Sequence, residues 1–135
     1  MLALRGHHLV CRLGFRGLGY SDAFVQQMTE IVHLLRTYPE MKLRVIAGPD
    51  VLCDACPHLV DGQCQTAGNS HSEIRIQAMD RAVIQILDLQ VGHLYTVQMI
   101  NERMKARFDK ASFDLVCADC RWRALGFCEA GLEGL

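Results

Sequence analysis

Residues 53–64 have the sequence CDACPHLVDGQC, in which a C-x-x-C pair is followed, after seven intervening residues, by a third cysteine. Residues 117–128, CADCRWRALGFC, repeat the same three offsets. The first triplet consists of Cys53, Cys56 and Cys64, and the second of Cys117, Cys120 and Cys128. Chance rarely places three cysteines at the same offsets twice in one chain. We therefore interpret the two triplets as a degenerate internal repeat.

Around the triplets, the composition is that of an ordinary globular protein. The chain has 135 residues, of which 50% are hydrophobic, and its formal net charge is −1. This predicts one domain, 1–135, with no nucleic-acid surface. We expect no membrane partner, because no apolar run is long enough to span a bilayer. Arg5, His7, His8 and Arg12 interrupt the first segment, so it lacks a signal-peptide core and we expect a cytoplasmic protein.

The segments between the triplets have mainly helical patterns. Apolar residues at helical spacing predict helices that begin near Ser21, Ser72, Thr96 and Ser112. The first of these ends near Thr37, before Pro39. Residues 42–47 (KLRVIA) alternate as a strand does, and residues 2–5 can pair with them. The predicted fold class is α+β and mainly α: a small helical domain with a minor two-stranded sheet and two cysteine-triplet loops.

The number and spacing of the cysteines indicate metal binding. Seven cysteines without an export signal argue against a disulfide framework, because the cytosol keeps thiols reduced. Thiolates are soft ligands that suit iron–sulphur clusters or zinc. Pro57 directly after Cys56 favours a cluster, while zinc is the commonest user of C-x-x-C pairs. Metal-free thiols, and a nucleophilic Cys11 beside His8, are the remaining alternatives.

Eight residues form the predicted ligand set. They are the two triplets, Cys11 and one histidine, listed in chain order as His8, Cys11, Cys53, Cys56, Cys64, Cys117, Cys120 and Cys128. These residues permit two sites of four ligands, with Cys11 completing the first triplet and a histidine the second. They equally permit one four-ligand site with three further thiols. The pattern of residues leaves both arrangements open.

Three blocks of the sequence resemble one known family. They are RGHHLVCRLGFRGLGYSDAFV at 5–25, GPDVLCDACPHLVDGQC at 48–64 and LVCADCRWRALGFC at 115–128. They are similar to the domain-of-unknown-function family 1284, a bacterial and archaeal group of about this length whose members are suspected of binding iron–sulphur clusters. The resemblance implies that all seven cysteines match the family's cysteines, and that His7 and His8 match its paired histidines. It strengthens the cluster interpretation without naming a reaction.

The sequence thus predicts a protein that binds an iron–sulphur cluster, of the four-iron (4Fe-4S) type. Its expected role is electron transfer or redox sensing with an unidentified redox partner protein. The alternative is a structural zinc module that mediates an interaction through all-cysteine or mixed cysteine and histidine sites. An enzyme with an open iron position is a third class. We expect no catalytic residues, since the acidic residues show no pairing that would suggest acid–base catalysis.

Overall fold

The computed structural model describes residues 2–17, 21–57, 59–60, 62–64, 71–117 and 125–135. The predicted ligand Cys120 lies outside these residues, and Cys64 is described by its backbone alone. The elements in chain order are β1 (Ala3–Arg5), α1 (His8–Gly14), α2 (Asp22–Thr37), β2 (Lys42–Ile46), α3 (Val51–Asp54), β3 (Leu59–Val60), β4 (Gln63–Cys64), α4 (His71–Ile86), β5 (Leu94–Thr96), α5 (Val97–Arg107), α6 (Lys110–Val116) and α7 (Phe127–Glu133).

The longer helices begin where the sequence predicts. The Oγ of Ser21 accepts a hydrogen bond from the backbone N–H of Phe24 at 3.1 Å and caps α2, which ends at Thr37. Thr96 caps α5 in the same way, through the N–H of Met99. Such caps satisfy N–H groups that have no partner within the helix. The mainly helical prediction is confirmed, and no described helix is long and apolar enough to cross a membrane.

The main sheet has three strands in the order β1-β2-β5. β1 pairs with β2, as expected, and the pairing is parallel. The predicted two-stranded sheet was wrong, because β5 pairs antiparallel along the other side of β2. β5 was missed because three residues that directly precede a helix cap are too few to show a strand period. A separate short hairpin joins β3 and β4. Leu43 and Val45 of the central strand are buried, and they pack in one hydrophobic core with residues of α1, α2, α4, α5 and α6.

The structure does not confirm the internal repeat. Cys53 lies inside α3 and Cys64 ends β4, whereas Cys117 directly follows α6 and Cys128 lies in α7. The described cysteines at equivalent positions therefore differ in local structure, and Cys53 and Cys128 lie in helices rather than in loops. A shared spacing of cysteines limits how their thiols can meet, but the flanking residues determine whether the backbone there forms a helix, a strand or a loop.

The start of α6 is also set by its local residues. The sequence predicts that Ser112 caps this helix and that the helix carries Cys117. Asp109 caps it instead, accepting from the N–H of Ser112 at 2.9 Å, while the Oγ of Ser112 accepts from the N–H of Asp109. This capping box moves the start of the helix toward the N-terminus, and the helix ends at Val116.

Helices α1 and α7 approach closely because each has a glycine at the contact. A β-carbon at Gly14 would lie 2.7 Å from the backbone nitrogen of Cys128 and 2.9 Å from its Cα, and it would also meet the Sγ of that residue. A β-carbon at Gly131 would collide with the carbonyl group of Leu13. The two glycines therefore set the distance between the helices, and with it the place of Cys128.

We expect Gly14→Ala to lower the free energy of unfolding by about 1–3 kcal/mol, the usual effect of overpacking a tight contact. Gly48→Ala is the matched control, because nothing lies within 4 Å of a β-carbon built at that position. Urea unfolding of both variants measures the difference. Equal midpoints for Gly14→Ala and Gly48→Ala would contradict the close packing of α1 against α7.

Candidate metal centre

A fully buried arginine lies at the centre of a polar cluster. Arg5, the last residue of β1, donates from Nη2 and Nη1 to the two carboxylate oxygens of Glu73, at 2.8 and 3.3 Å. Its Nε donates to Oδ2 of Asp80 at 2.9 Å, and Nη1 also donates to Sγ of Cys53 at 3.3 Å. Burial alone would lower the pKa of Arg5, but these anionic partners raise it above its ordinary value, so the guanidinium stays charged.

Asp50 connects this arginine to the first cysteine triplet. It caps α3, and its Oδ1 accepts from the N–H groups of Leu52 and Cys53, at 2.9 and 3.1 Å. Its Oδ2 accepts from the N–H of Arg5 at 2.8 Å and lies 2.7 Å from Nδ1 of His8. Burial opposes ionisation of Asp50, but the charge of His8 and these hydrogen bonds lower its pKa below the ordinary value. Asp50 therefore holds the first strand, the ring of His8 and the start of α3 together with its two carboxylate oxygens.

His8 is held in the orientation that metal-binding histidines adopt. An ionised Asp50 only accepts hydrogen bonds, so Nδ1 of His8 carries the proton and donates it. Nε2 is then the nitrogen that remains for a metal ion. Metal-ligating histidines commonly have such a carboxylate partner, which fixes the tautomer and the ring. That His8 binds a metal stays a prediction.

His7 makes a parallel arrangement with Asp80. Oδ1 of Asp80 accepts from the backbone N–H of His7 at 3.0 Å and lies 2.7 Å from its Nδ1. Burial, followed by the charge of His8, lowers the pKa of His7 to about 4 against the opposing effect of Asp80. The imidazole is thus neutral at pH 7. The two histidine rings lie side by side, with centroids 4.4 Å apart.

Three residues bring potential ligand atoms close together. His8, Asp50 and Cys53 each offer one atom, and these atoms lie within 4.8 Å of one another, all in buried side chains. Burial and the charge of Asp50 raise the pKa of Cys53 to about 12, with Arg5 acting in the opposite direction. The thiol is therefore protonated at pH 7 in the metal-free protein, and binding a metal would release this proton. A thiolate with an imidazole is a donor set that suits zinc or iron.

Two of the other described cysteines, Cys11 and Cys128, lie on or against α1. Cys56 follows α3 in a turn in which its N–H donates to the carbonyl of Cys53 at 2.9 Å. Cys11 is one turn beyond His8 on α1, and Gly14, which contacts Cys128, is one turn further. Since seven helical residues span about 10 Å, Cys53, which is linked to His8 through Asp50, and Cys128 lie near opposite ends of one short helix.

The structure therefore brings part of the predicted ligand set together. It joins His8 to Cys53 through Asp50, and it places Cys11 between these residues and Cys128. Cys117 is buried at the end of α6. That all seven cysteines bind metal stays a prediction, since the side chain of Cys64 and the whole of Cys120 lie outside the described part of the chain.

Sequence reasoning missed the charged residues that support this site. In the sequence, Arg5 stands out only as an interruption of the apolar first segment and as part of a predicted strand, and no role is predicted for Asp50. Its position just before the apolar Val51–Leu52 pair is nevertheless a recognisable helix-cap signal. Glu73 and Asp80 are seven residues apart, so they lie on one face of α4, where both are buried. Two acids on a helix face that is otherwise buried are a signal that a cation lies opposite.

Comparison with known proteins adds a family but no activity. The model of DUF1284, described as a protein of unknown function, matches residues 19–126. The chain belongs to DUF1284. This confirms the family that the sequence blocks resemble. The matched range leaves out His7, His8, Cys11 and Cys128, so that these residues match the family's own stays a prediction. No curated protein and no solved structure matches this DUF1284 chain.

We expect Asp50→Asn to lower the free energy of unfolding by about 3 kcal/mol. The oxygen of an asparagine amide can still cap α3. Its NH₂ group only donates, so it can accept from neither Arg5 nor His8, and these buried donors lose their partner. Asp109→Asn is the matched control, because Asp109 caps α6 without contacting a buried charge. Urea unfolding of the metal-free protein tests this. A similar loss in both variants would show that Asp50 acts as a helix cap alone.

Proposed function

We propose that this DUF1284 protein binds an iron–sulphur cluster of the four-iron type through its cysteines, and that it transfers electrons or senses redox state. The observation that carries the proposal is the position of α1. This helix reaches Cys53 at one end through His8 and Asp50, contacts Cys128 at the other through Gly14, and carries Cys11 between them. Residues of both triplets, far apart in sequence, thereby approach one helix.

The described residues fit such a group in chemistry and in environment. Cysteine thiolates are the usual ligands of iron–sulphur clusters, and hydrogen bonds to sulphur together with burial tune the potential. Cys53 and Cys117 are buried, and Cys11, Cys56 and Cys128 pack partly buried against the core. Nη1 of Arg5 donates to Sγ of Cys53. A bound cluster would supply one-electron exchange, while these residues would hold it and exclude water.

The proposed cluster ligands are the seven cysteines, namely Cys11, Cys53, Cys56, Cys64, Cys117, Cys120 and Cys128. Cys11 lies on the helix that both triplets approach, so it can complete a set of four thiolates with either. A complete set of four protein ligands leaves no iron position open for a substrate. Electron exchange with a redox partner protein is therefore the proposed role, rather than catalysis.

We expect Cys56→Ser and Cys128→Ser each to lose most of the iron and acid-labile sulphide of protein purified without oxygen, because each change removes a thiolate from one triplet. Ala55→Ser and Ala130→Ser are the matched controls, since they add a hydroxyl group to the same turn or helix while keeping every thiol. Visible absorption together with iron and sulphide analysis gives the readout. Full iron content in either cysteine variant would remove that triplet from the site.

A structural zinc site is the second candidate, and the bond between His8 and Asp50 favours it. Carboxylate-held histidines are typical of zinc sites, and Cys53 lies beside this pair. Three buried carboxylates lie close to Arg5: Glu73 and Asp80 accept from its guanidinium, and Asp50 accepts from its backbone N–H. A divalent cation bound by Cys53 and His8 would add positive charge beside these carboxylates. Zinc would then contribute folding energy, and the protein would act as an interaction module.

His8→Ala separates the two candidates. We expect it to abolish stoichiometric zinc binding if His8 is a ligand, and to leave iron and sulphide content unchanged if the ligands are thiolates alone. His33→Ala is the matched control, because His33 is exposed on α2. Metal analysis after purification without oxygen gives the readout. Stoichiometric zinc in wild-type protein, lost in His8→Ala and kept in His33→Ala, would reject the cluster in favour of zinc.

A further inference from the structure

We propose that Arg5 is a positioning residue of the metal centre: its guanidinium orients Sγ of Cys53 and places a positive charge against that sulphur when it binds a thiophilic metal. The inference rests on the proposed function, in that it takes Cys53 to be a ligand. It goes further in naming a residue that acts on the site without touching the metal.

The geometry around Arg5 leaves its side chain one orientation. Its planar guanidinium is held at Nε by Asp80 and at both terminal nitrogens by Glu73. Two carboxylates on α4 thus fix the plane of the group, and Nη1 lies 3.3 Å from Sγ of Cys53. A lysine has no rigid fork of donors, so it cannot meet these partners together.

The same residue also connects to both histidines. Its backbone N–H donates to Asp50, which holds His8, and its Nε donates to Asp80, which holds His7. Outer partners of this kind orient metal ligands, and their loss typically weakens metal binding about 10–100-fold. Arg5 is therefore placed to affect the centre through Cys53 directly and through His8 indirectly.

The charges around Arg5 allow a positioning role to be distinguished from a purely structural role by the metal affinity of two variants. Glu73 partly neutralises the guanidinium. In Glu73→Gln the amide oxygen can still accept from Arg5 and Asp80 still holds Nε, so the guanidinium keeps its orientation while the positive field at Cys53 becomes stronger. An Arg5 that positions and stabilises the sulphur predicts opposite effects on metal affinity. Arg5→Lys weakens binding, and Glu73→Gln leaves binding as tight or tighter. A merely structural network predicts that both variants lose affinity along with stability.

The test is titration of metal-free protein with Co²⁺ in the absence of oxygen, followed by the thiolate-to-cobalt charge-transfer absorption. Cysteine thiolates bind divalent first-row metals, and this band reports sulphur ligation directly. We expect Arg5→Lys to weaken Co²⁺ binding about 10–100-fold, while Glu73→Gln binds at least as tightly as wild type. Arg44→Lys, an exposed change on β2, is the matched control and should bind as wild type does. Urea unfolding records the stability of every variant.

Cys53→Ser separates failure of the inference from failure of the proposed function. If wild-type protein lacks the band, or Cys53→Ser keeps all of it, Cys53 is not a ligand and both are overturned. If Cys53→Ser loses band intensity but Arg5→Lys binds as tightly as wild type, the role of Arg5 alone is overturned. Should Arg5→Lys not fold, Glu73→Gln decides: weaker binding overturns the inference, and equal or tighter binding supports it.

Discussion

The rest of the structure depends on the buried ion pairs between Arg5 and the carboxylates of Glu73 and Asp80. They hold the first strand against α4, although Arg5 is 68 and 75 residues away from the two acids. A buried ion pair adds little net stability compared with apolar residues of the same shape, but removal of one partner is costly. The pairs therefore select one arrangement of β1 against α4, and that arrangement determines where the following residues lie.

His7, His8 and α1 follow directly from this anchored strand. The backbone of Arg5 meets Asp50, so the residue that caps α3 also receives the first strand and the ring of His8. One carboxylate thus performs a local and a long-range task with its four acceptor positions. The local task, capping α3, can be recognised in the sequence from an aspartate just before a short helix. The long-range task makes the start of α3, with Cys53, part of the polar cluster.

The proposed metal chemistry uses this framework in two ways. The fixed network controls the orientation and charge environment of Cys53, and the close contact at Gly14 controls the distance to Cys128. The polar network and the close contact at Gly14 are present before any metal binds, so the ligands need little reorganisation when a metal binds. A cluster and a zinc ion would make different use of the same framework. The cluster would rely on thiolates from both triplets, whereas zinc would rely on Cys53 with the histidine that Asp50 holds.

The sequence by itself determined the mainly helical class, the start of α2 and α5, the pairing of β1 with β2, and the family. These features follow from caps, periodicity and cysteine spacing, which are local signals. Only the tertiary structure decided the third strand, the different local structures of the two triplets, and the cluster of Asp50, Glu73 and Asp80 around Arg5. Strand β5 is too short to carry a period of its own, and it exists because β2 offers it a free edge. Arg5 resembles any strand residue in sequence, since its importance comes from acids 68 and 75 residues away. Contacts at such separations depend on how whole helices and strands pack together, and this packing cannot be predicted from a short stretch of sequence.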